Sequence, residues 1–222
     1  WLADDSELFS SVIRLQDDPD AHVRLQLALS LGQAGNAQAI ATLVKLAQQD
    51  GDLTWMSAAI LSSITVTPVE FISGLLQEPN PSSSSEGLLR SLAATTGAKR
   101  DAAEVDRVLA LAGQGKPKAA APLLRGLLEG LERSSAKPMT LPHGGDNLAQ
   151  WIAGNDDEQR ELALSISKQL GQETTPAIRK VFTEAATKAS DPNVALPLRL
   201  AAMKLLRSCD TKNFAPALAA VL

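Results

Sequence analysis

A unit made of a short acidic turn, an arginine and a long apolar helical segment recurs along the chain. In its clearest copy, residues 17–24 read DDPDAHVR and lead into LQLALSLG at residues 25–32. A helical unit of this kind cannot bury its apolar face alone, so copies stack against one another. The unit therefore predicts an all-α array of stacked helices. Weaker copies stand at residues 155–160, which read NDDEQR, and at residues 190–193, which read SDPN and precede Arg199.

Within the unit, the acidic residue and the arginine have complementary roles. An Asp before a helix accepts hydrogen bonds from N–H groups of the first turn, which otherwise have no partner. An Arg one turn later, such as Arg24, is placed to form a forked hydrogen bond with a carboxylate of the same or a neighbouring turn. Stacked copies of the unit then predict a ladder of such pairs along the array.

The composition supports helices and disfavours several classes of function. Hydrophobic residues make up 45% of the 222 residues but aromatic residues only 3%, whereas strands favour β-branched and aromatic side chains. The formal net charge of −4 disfavours a nucleic-acid-binding protein, which needs a basic surface. The single Cys excludes an internal disulfide, and no apolar run is long enough to span a membrane.

Residue types that commonly carry catalysis or bind metals are few. His22, His143 and Cys209 have no ligand spacing, and nothing in the sequence places Cys209 in the electropositive setting that a reactive thiolate needs. We therefore expect no catalytic residue, no metal site and no cofactor in this chain. The chain begins at Trp1 and ends on an apolar pattern at residues 214–222, which leads us to expect a piece of a longer protein.

Apolar residues at helical spacing recur through the whole chain and predict about a dozen helices, arranged as about five to six pairs. We predict one continuous domain over residues 1–222. Two segments interrupt the helical pattern: the Pro/Ser-rich turn at residues 78–85, and an inserted loop at about residues 134–147. Glycines are predicted to end helices in left-handed caps at positions 35, 51, 97, 113 and 171.

The recurring unit resembles the HEAT repeat. Asp18-Pro19, Val23-Arg24 and the segment ALSLG at residues 28–32 match the turn and the helix start that are typical of that family. The resemblance implies an α-solenoid, a right-handed superhelix of HEAT-like helical pairs. In such proteins the second helix of each pair generally lines the concave face, which is the usual partner surface.

A narrower resemblance rests on EGLLRSLAA at residues 86–94, TGAKRD at residues 96–101 and LLRGLLEGL at residues 123–131. These segments are similar to the helical middle region of large secreted planctomycete-type proteins that resemble membrane-bound dehydrogenases. In that family a β-propeller precedes the helical region, and a c-type haem domain with a Cys-x-x-Cys-His motif follows it. This chain lacks that motif, so the resemblance implies only a spacer or docking module, in a periplasmic or extracytoplasmic protein.

The expected partners are proteins, or other domains of the same polypeptide, rather than nucleic acid. Trp55 and Trp151 are predicted mainly to pack between repeats, although Trp is also enriched at binding hot spots. The residues that we predict for a partner surface are Gln26, Arg90, Arg125, Arg133, His143, Trp151, Lys168 and Lys204.

Three functions follow as hypotheses. The first is a non-catalytic interaction or spacer scaffold. The second is a HEAT-like DNA-binding enzyme of the base-excision glycosylase type, which needs a basic concave face and is disfavoured by the charge and the scarce aromatics. The third is a small-molecule or peptide site built around the 134–147 insertion and Trp151.

Overall fold

The computed structural model of the protein describes residues 6–32, 34–64, 68–77, 83–114, 117–134 and 138–208. These residues form twelve α-helices and one short 3-10 helix, and none of them belongs to a strand. The prediction of an all-α fold with about a dozen helices is confirmed.

The helices are named in chain order, and one 3-10 turn at Arg14–Asp17 lies between the first two. Their bounds are α1 Ser6–Ile13, α2 Ala21–Leu31, α3 Ala37–Asp50, α4 Thr54–Ser63, α5 Pro68–Gln77, α6 Ser83–Lys99, α7 Ala102–Gln114, α8 Pro117–Glu132, α9 Gly144–Ala153, α10 Asp157–Leu170, α11 Pro176–Ser190 and α12 Leu196–Arg207.

The acidic turns begin helices in the way that the sequence predicts. The Asp20 carboxylate accepts a hydrogen bond from the backbone N–H of His22 at 2.8 Å, at the start of α2. The Asp156 carboxylate does the same for the backbone N–H of Gln159 at 2.9 Å, at the start of α10. At the other end of α10, Gly171 ends the helix with a φ of 67°, in the left-handed region that glycine tolerates best.

The principal contacts join helices that are close in the chain. Even-numbered helices α2, α4, α6, α8 and α10 each contact the next even-numbered one, and we call this set the even row. Odd-numbered helices α3, α5, α7, α9 and α11 do the same and form the odd row, while chain neighbours such as α2 and α3 link the two rows. The last helix, α12, packs mainly on α11. One cluster of buried apolar side chains extends from α1 to α12.

Helices α6 and α8 share the closest interface between two helices of the even row. A Cβ atom on Gly126 would overlap the backbone carbonyl of Arg90, and one on Gly130 would overlap that of Ala94. Residue numbers rise together along the two helices, so α6 and α8 run parallel. Their backbones touch directly because the glycines carry no side chain, as in tightly packed helix pairs elsewhere.

The inserted loop is shorter than the predicted residues 134–147. Gly144 already begins α9, and the backbone N–H of Asn147 donates to the carbonyl of His143 at 3.0 Å. Residues 144–147 are therefore helical, and the connection between α8 and α9 ends at His143. Residues 135–137 of this connection lie outside the described part of the chain.

Two further expectations need correction. Of the predicted Pro/Ser turn, residues 78–82 are not described, but the backbone of Ser83–Ser85 forms the first turn of α6. The predicted left-handed helix ends are wrong at three glycines: Gly51 ends α3 with a right-handed φ of −62°, and Gly113 lies inside α7. Gly97 lies inside α6. A Cβ atom at this position would lie 2.5 Å from the carbonyl oxygen of Leu127, so the glycine serves the contact with α8.

Candidate interaction surface

The arginine of the clearest acidic-turn unit is buried and holds two helices together. The guanidinium of Arg24 donates to both carboxylate oxygens of Asp50, at the end of α3, over 2.6 and 2.7 Å. It also donates to the carbonyl of Asp18 at 2.6 Å. The hydrogen bonds to Asp50 raise the pKa of Arg24 further above its usual value. The predicted fork is present, and it fastens the acidic turn to α3.

The arginines of the two weaker units bind the end of the helix that precedes them in the chain. Arg160 donates to the carbonyls of Ile152 at 3.2 Å and Gly154 at 2.6 Å, where α9 ends. Arg199 donates to the carbonyl of Ala189 at 3.2 Å, near the end of α11. Terminal carbonyls of a helix have no intrahelical donor, so these arginines satisfy them. This role is structural. The predicted ladder of forked pairs does not extend to these two units, because Arg160 binds the Asp157 carboxylate through one nitrogen only and Arg199 binds a carbonyl.

A different set of arginines bridges successive helices of the even row. Arg90 of α6 donates through Nε to the carboxylate of Glu129 of α8 at 2.9 Å, and a second guanidinium nitrogen binds the same oxygen. Arg125 of α8 forms an ion pair with Glu158 of α10. The hydrogen bond from Arg90 lowers the pKa of the Glu129 carboxyl, with a smaller contribution from the charge of Arg133. We call this series the Arg–Glu ladder.

Two of the predicted surface residues are members of the Arg–Glu ladder. Arg90 and Arg125 lie on the same row, as expected of residues in one surface, but each is paired with a glutamate of the next helix. Both ion pairs are about half-exposed, so they add little to the free energy of unfolding. Their main effect is to present alternating charges along the row instead of free cations.

The remaining predicted residues are divided among several helices. Gln26 of α2 and Lys168 of α10 are exposed on the even row, and Arg133 is exposed just after α8 ends. Lys204 of α12 lines an open groove between α10 and α12, in which Asp157 and Glu161 are the acidic residues among those described.

His143 directly precedes α9 as its N-cap residue, and Trp151 lies within α9, which is part of the odd row. The backbone N–H of His143 is held by both carboxylate oxygens of Asp106, at 3.2 Å each. Trp151 is half-buried and packs against the apolar cluster, as predicted, and its buried indole N–H has no hydrogen-bond partner among the described residues. The structure therefore separates these two residues from the even-row surface.

Trp55, which the sequence predicted mainly to pack between repeats, is a large exposed side chain. Trp55, at the start of α4, is 38% exposed, and its ring stacks on that of His22 with the ring centroids 6.2 Å apart. The His22 ring bonds through Nδ1 to the Asp20 carboxylate at 3.0 Å. Trp55 and His22 belong to different helices, α4 and α2, so the spacing of residues along the chain does not predict that their rings stack. Cys209, Trp1 and residues 214–222 lie outside the described part of the chain.

Two further properties bear on ligands and membranes. Within the described ranges, no three His, Cys, Asp or Glu side chains converge in a way that could hold a metal ion. No described helix is both long and apolar enough to cross a bilayer.

Comparisons with protein-family models, with curated proteins and with solved structures find no match to this chain.

Proposed function

We propose that this protein is a non-catalytic interaction or spacer scaffold, built as a HEAT-like α-solenoid of about five to six helical pairs. The observation that carries the proposal is the pattern of helix contacts, in which each row joins helices two apart in the chain. Stacked repeats contact only their neighbours in this way, and the surface that results is long and shallow. Such a surface suits an extended partner better than a small substrate.

The Arg–Glu ladder favours a protein partner over nucleic acid. A nucleic-acid surface gains affinity by placing free lysines and arginines against phosphates. Here Arg90 and Arg125 are already paired with Glu129 and Glu158, whose negative charges repel phosphates. This pairing counts against the glycosylase-type alternative.

A wider context is part of the proposal. The resemblance to the middle region of planctomycete-type dehydrogenase-like proteins supports a place within a multidomain extracytoplasmic protein. Propeller and haem domains would then be supplied by other parts of the polypeptide, and this chain would hold no cofactor of its own.

A ligand site near α9 is a second candidate, because one observation favours it. The side-chain N–H groups of Asn147 and Trp151 lie one turn apart, and each has a buried donor atom without a partner among the described residues. A bound acceptor would satisfy them. Thermal-shift screening of the chain and of its Trp151→Phe variant tests this candidate, and equal shifts in the two proteins would reject it.

Small-angle X-ray scattering tests the solenoid arrangement. A compact domain of 222 residues has a radius of gyration of roughly 17 Å. We expect a clearly larger value for stacked rows, and a value near that of the compact domain contradicts the arrangement.

Cross-linking in cells that express the chain tests the interaction role. We expect a lysine-reactive reagent to join Lys168 of the even row to other polypeptides or domains. Lys180, exposed on α11 of the odd row, is the matched control. Cross-links to other polypeptides at Lys180 but not at Lys168 would reject the even row as the partner surface, and cross-links confined to this chain would reject the scaffold role.

A further inference from the structure

The even row is open between α4 and α6. A cleft of about 420 Å³ lies there, a size within the range of ligand-binding pockets. Gly87 of α6 is part of its wall, and a Cβ atom at that position would meet no other atom within 4 Å. The residues that line the cleft are Gly51, Asp52, Thr54, Ser57, Leu61, Gly87, Leu88 and Ser91.

The lining has the chemistry that a long cationic side chain requires. Leu61 and Leu88 supply apolar contact, and Asp52 is the one charged residue among the described residues of the lining. Lysine and arginine bury an apolar stem while the charged head stays near water or a counter-charge. A carboxylate in the lining of a partly apolar cleft fits that combination, whereas it repels an anionic group.

An aromatic platform stands beside the cleft on the same helix. Trp55 follows Thr54 directly, and its ring is held by stacking on His22, which is bonded in turn to Asp20. Hydrogen bonding to the His22 backbone and ring lowers the pKa of the Asp20 carboxyl, which therefore keeps its negative charge at neutral pH. A ring that is fixed before binding loses little entropy when a partner arrives. An exposed Trp ring also attracts cations.

We propose that the α4–α6 cleft and Trp55 together bind a basic segment of a partner polypeptide, with one lysine or arginine side chain in the cleft next to Asp52. The backbone of the segment crosses α4 at Ala58, which is exposed and lies between the cleft and Trp55 on the helix surface. This inference rests on the proposed scaffold function and names the chemistry of its partner. Charge complementarity selects a basic segment, because Asp52 lines the cleft and Asp20 is bonded to the His22 ring on which Trp55 stacks.

Short fluorescein-labelled peptides, titrated against the chain by fluorescence anisotropy, test the inference. One peptide carries lysine and arginine spaced by glycine and serine, and two matched peptides carry glutamine or glutamate at the same positions. We expect the basic peptide to bind at least about tenfold more tightly than the glutamine peptide at roughly 0.15 M salt. Equal affinity for the basic and the glutamine peptides overturns the proposal.

Variants locate the binding. Gly87→Leu fills the cleft without meeting another atom at Cβ, so we expect the helix content to be kept and affinity to fall at least about tenfold. Trp55→Leu is expected to cause a similar loss, as for an aromatic hot spot. Asp52→Asn is expected to weaken binding about threefold to tenfold and to reduce its salt dependence.

The matched control is Asp146→Asn, which removes the same charge from an exposed position on α9. We expect less than about a twofold effect from it, since a distant charge is screened. If Asp146→Asn weakens binding as much as Asp52→Asn, the peptide is attracted by net charge alone and the site is refuted. Wild-type affinity in the folded Gly87→Leu variant also refutes it. Either failure leaves the scaffold function standing, provided that Lys168 still cross-links to other polypeptides.

Discussion

Helix α6 has two neighbours in the even row, and its two interfaces differ completely. Towards α8, glycines at 126 and 130 bring the backbones into contact and leave no space between the helices. Towards α4, Gly87 faces open space and the helices are separated by a cleft. Glycine therefore allows close contact at the α6–α8 interface and leaves room at the α4–α6 interface. The difference is that the backbone of α6 lies opposite Gly126 and Gly130, whereas no atom lies close to Gly87.

The two interfaces of α6 are also expected to serve different purposes. Close packing of backbones gives many small van der Waals contacts and tolerates no added atom. An open interface contributes less to the free energy of unfolding, but it leaves room for a side chain from another molecule. We therefore expect stability to depend on the α6–α8 side and binding to depend on the α4–α6 side.

The largest expected effect comes from adding methyl groups to the closed interface. In the double variant Gly126→Ala and Gly130→Ala, each new Cβ overlaps a carbonyl of α6, so the helices must move apart. Two overpacking costs of this kind lower the free energy of unfolding by about 4 kcal/mol or more. Urea denaturation followed by circular dichroism measures the change.

Gly87→Ala is the control for that experiment, because it makes the same substitution on the open side of α6. With no atom in the way, alanine should keep or raise the free energy of unfolding, by up to about 1 kcal/mol. Equal destabilisation by the two kinds of variant would mean that a methyl group is as poorly tolerated at Gly87 as at Gly126 and Gly130, and the contrast between the interfaces would be lost.

The second prediction extends the contrast to ion pairs. Asp50, 7% exposed, receives two hydrogen bonds from buried Arg24, whereas the Arg90–Glu129 pair faces solvent. Asp50→Asn keeps the shape of the side chain but removes the charge and one acceptor. We expect the melting temperature to fall by roughly 4–8 °C. The control is Asp17→Asn, which breaks the exposed pair with Lys45. It should change the melting temperature by less than about 2 °C.

The smallest expected effect concerns the Arg–Glu ladder and its dependence on pH. The pKa of Glu129 is lowered by Arg90, so its ion pair stabilises the folded state above the ordinary pKa of 4.5. That contribution is lost as the pH falls through the lowered pKa. Glu129→Gln should therefore lower the melting temperature by less than about 3 °C at neutral pH and by nothing once the carboxyl is protonated.

Melting curves over a range of pH values make this comparison. A difference between wild type and Glu129→Gln that grows as the pH falls would reverse the expected sign and contradict the ion pair with Arg90.

Some residues of the candidate surface could be predicted from the sequence. The sequence pointed to Arg90, Arg125 and Lys168 as polar positions on helices, and the structure places them on one row. It did not pair the arginines with Glu129 and Glu158, because those partners lie more than thirty residues away on another helix. The cleft next to Trp55 was missed for the same reason, since two helices distant in sequence form its walls.

The sequence by itself determined the local features of this protein. Apolar spacing specified helices, Asp20 and Asp156 specified where two of them begin, and Gly171 specified where one ends. These are interactions within a few residues, and their chemistry can be read from neighbouring letters.

Only the tertiary structure decided how close neighbouring helices lie. Gly87, Gly97 and Gly130 are alike in sequence, yet one opens onto a cleft and two lie against the backbone of a neighbouring helix. The distance between two helices depends on the shapes of both facing surfaces, and the order of residues in one helix does not contain the shape of the other.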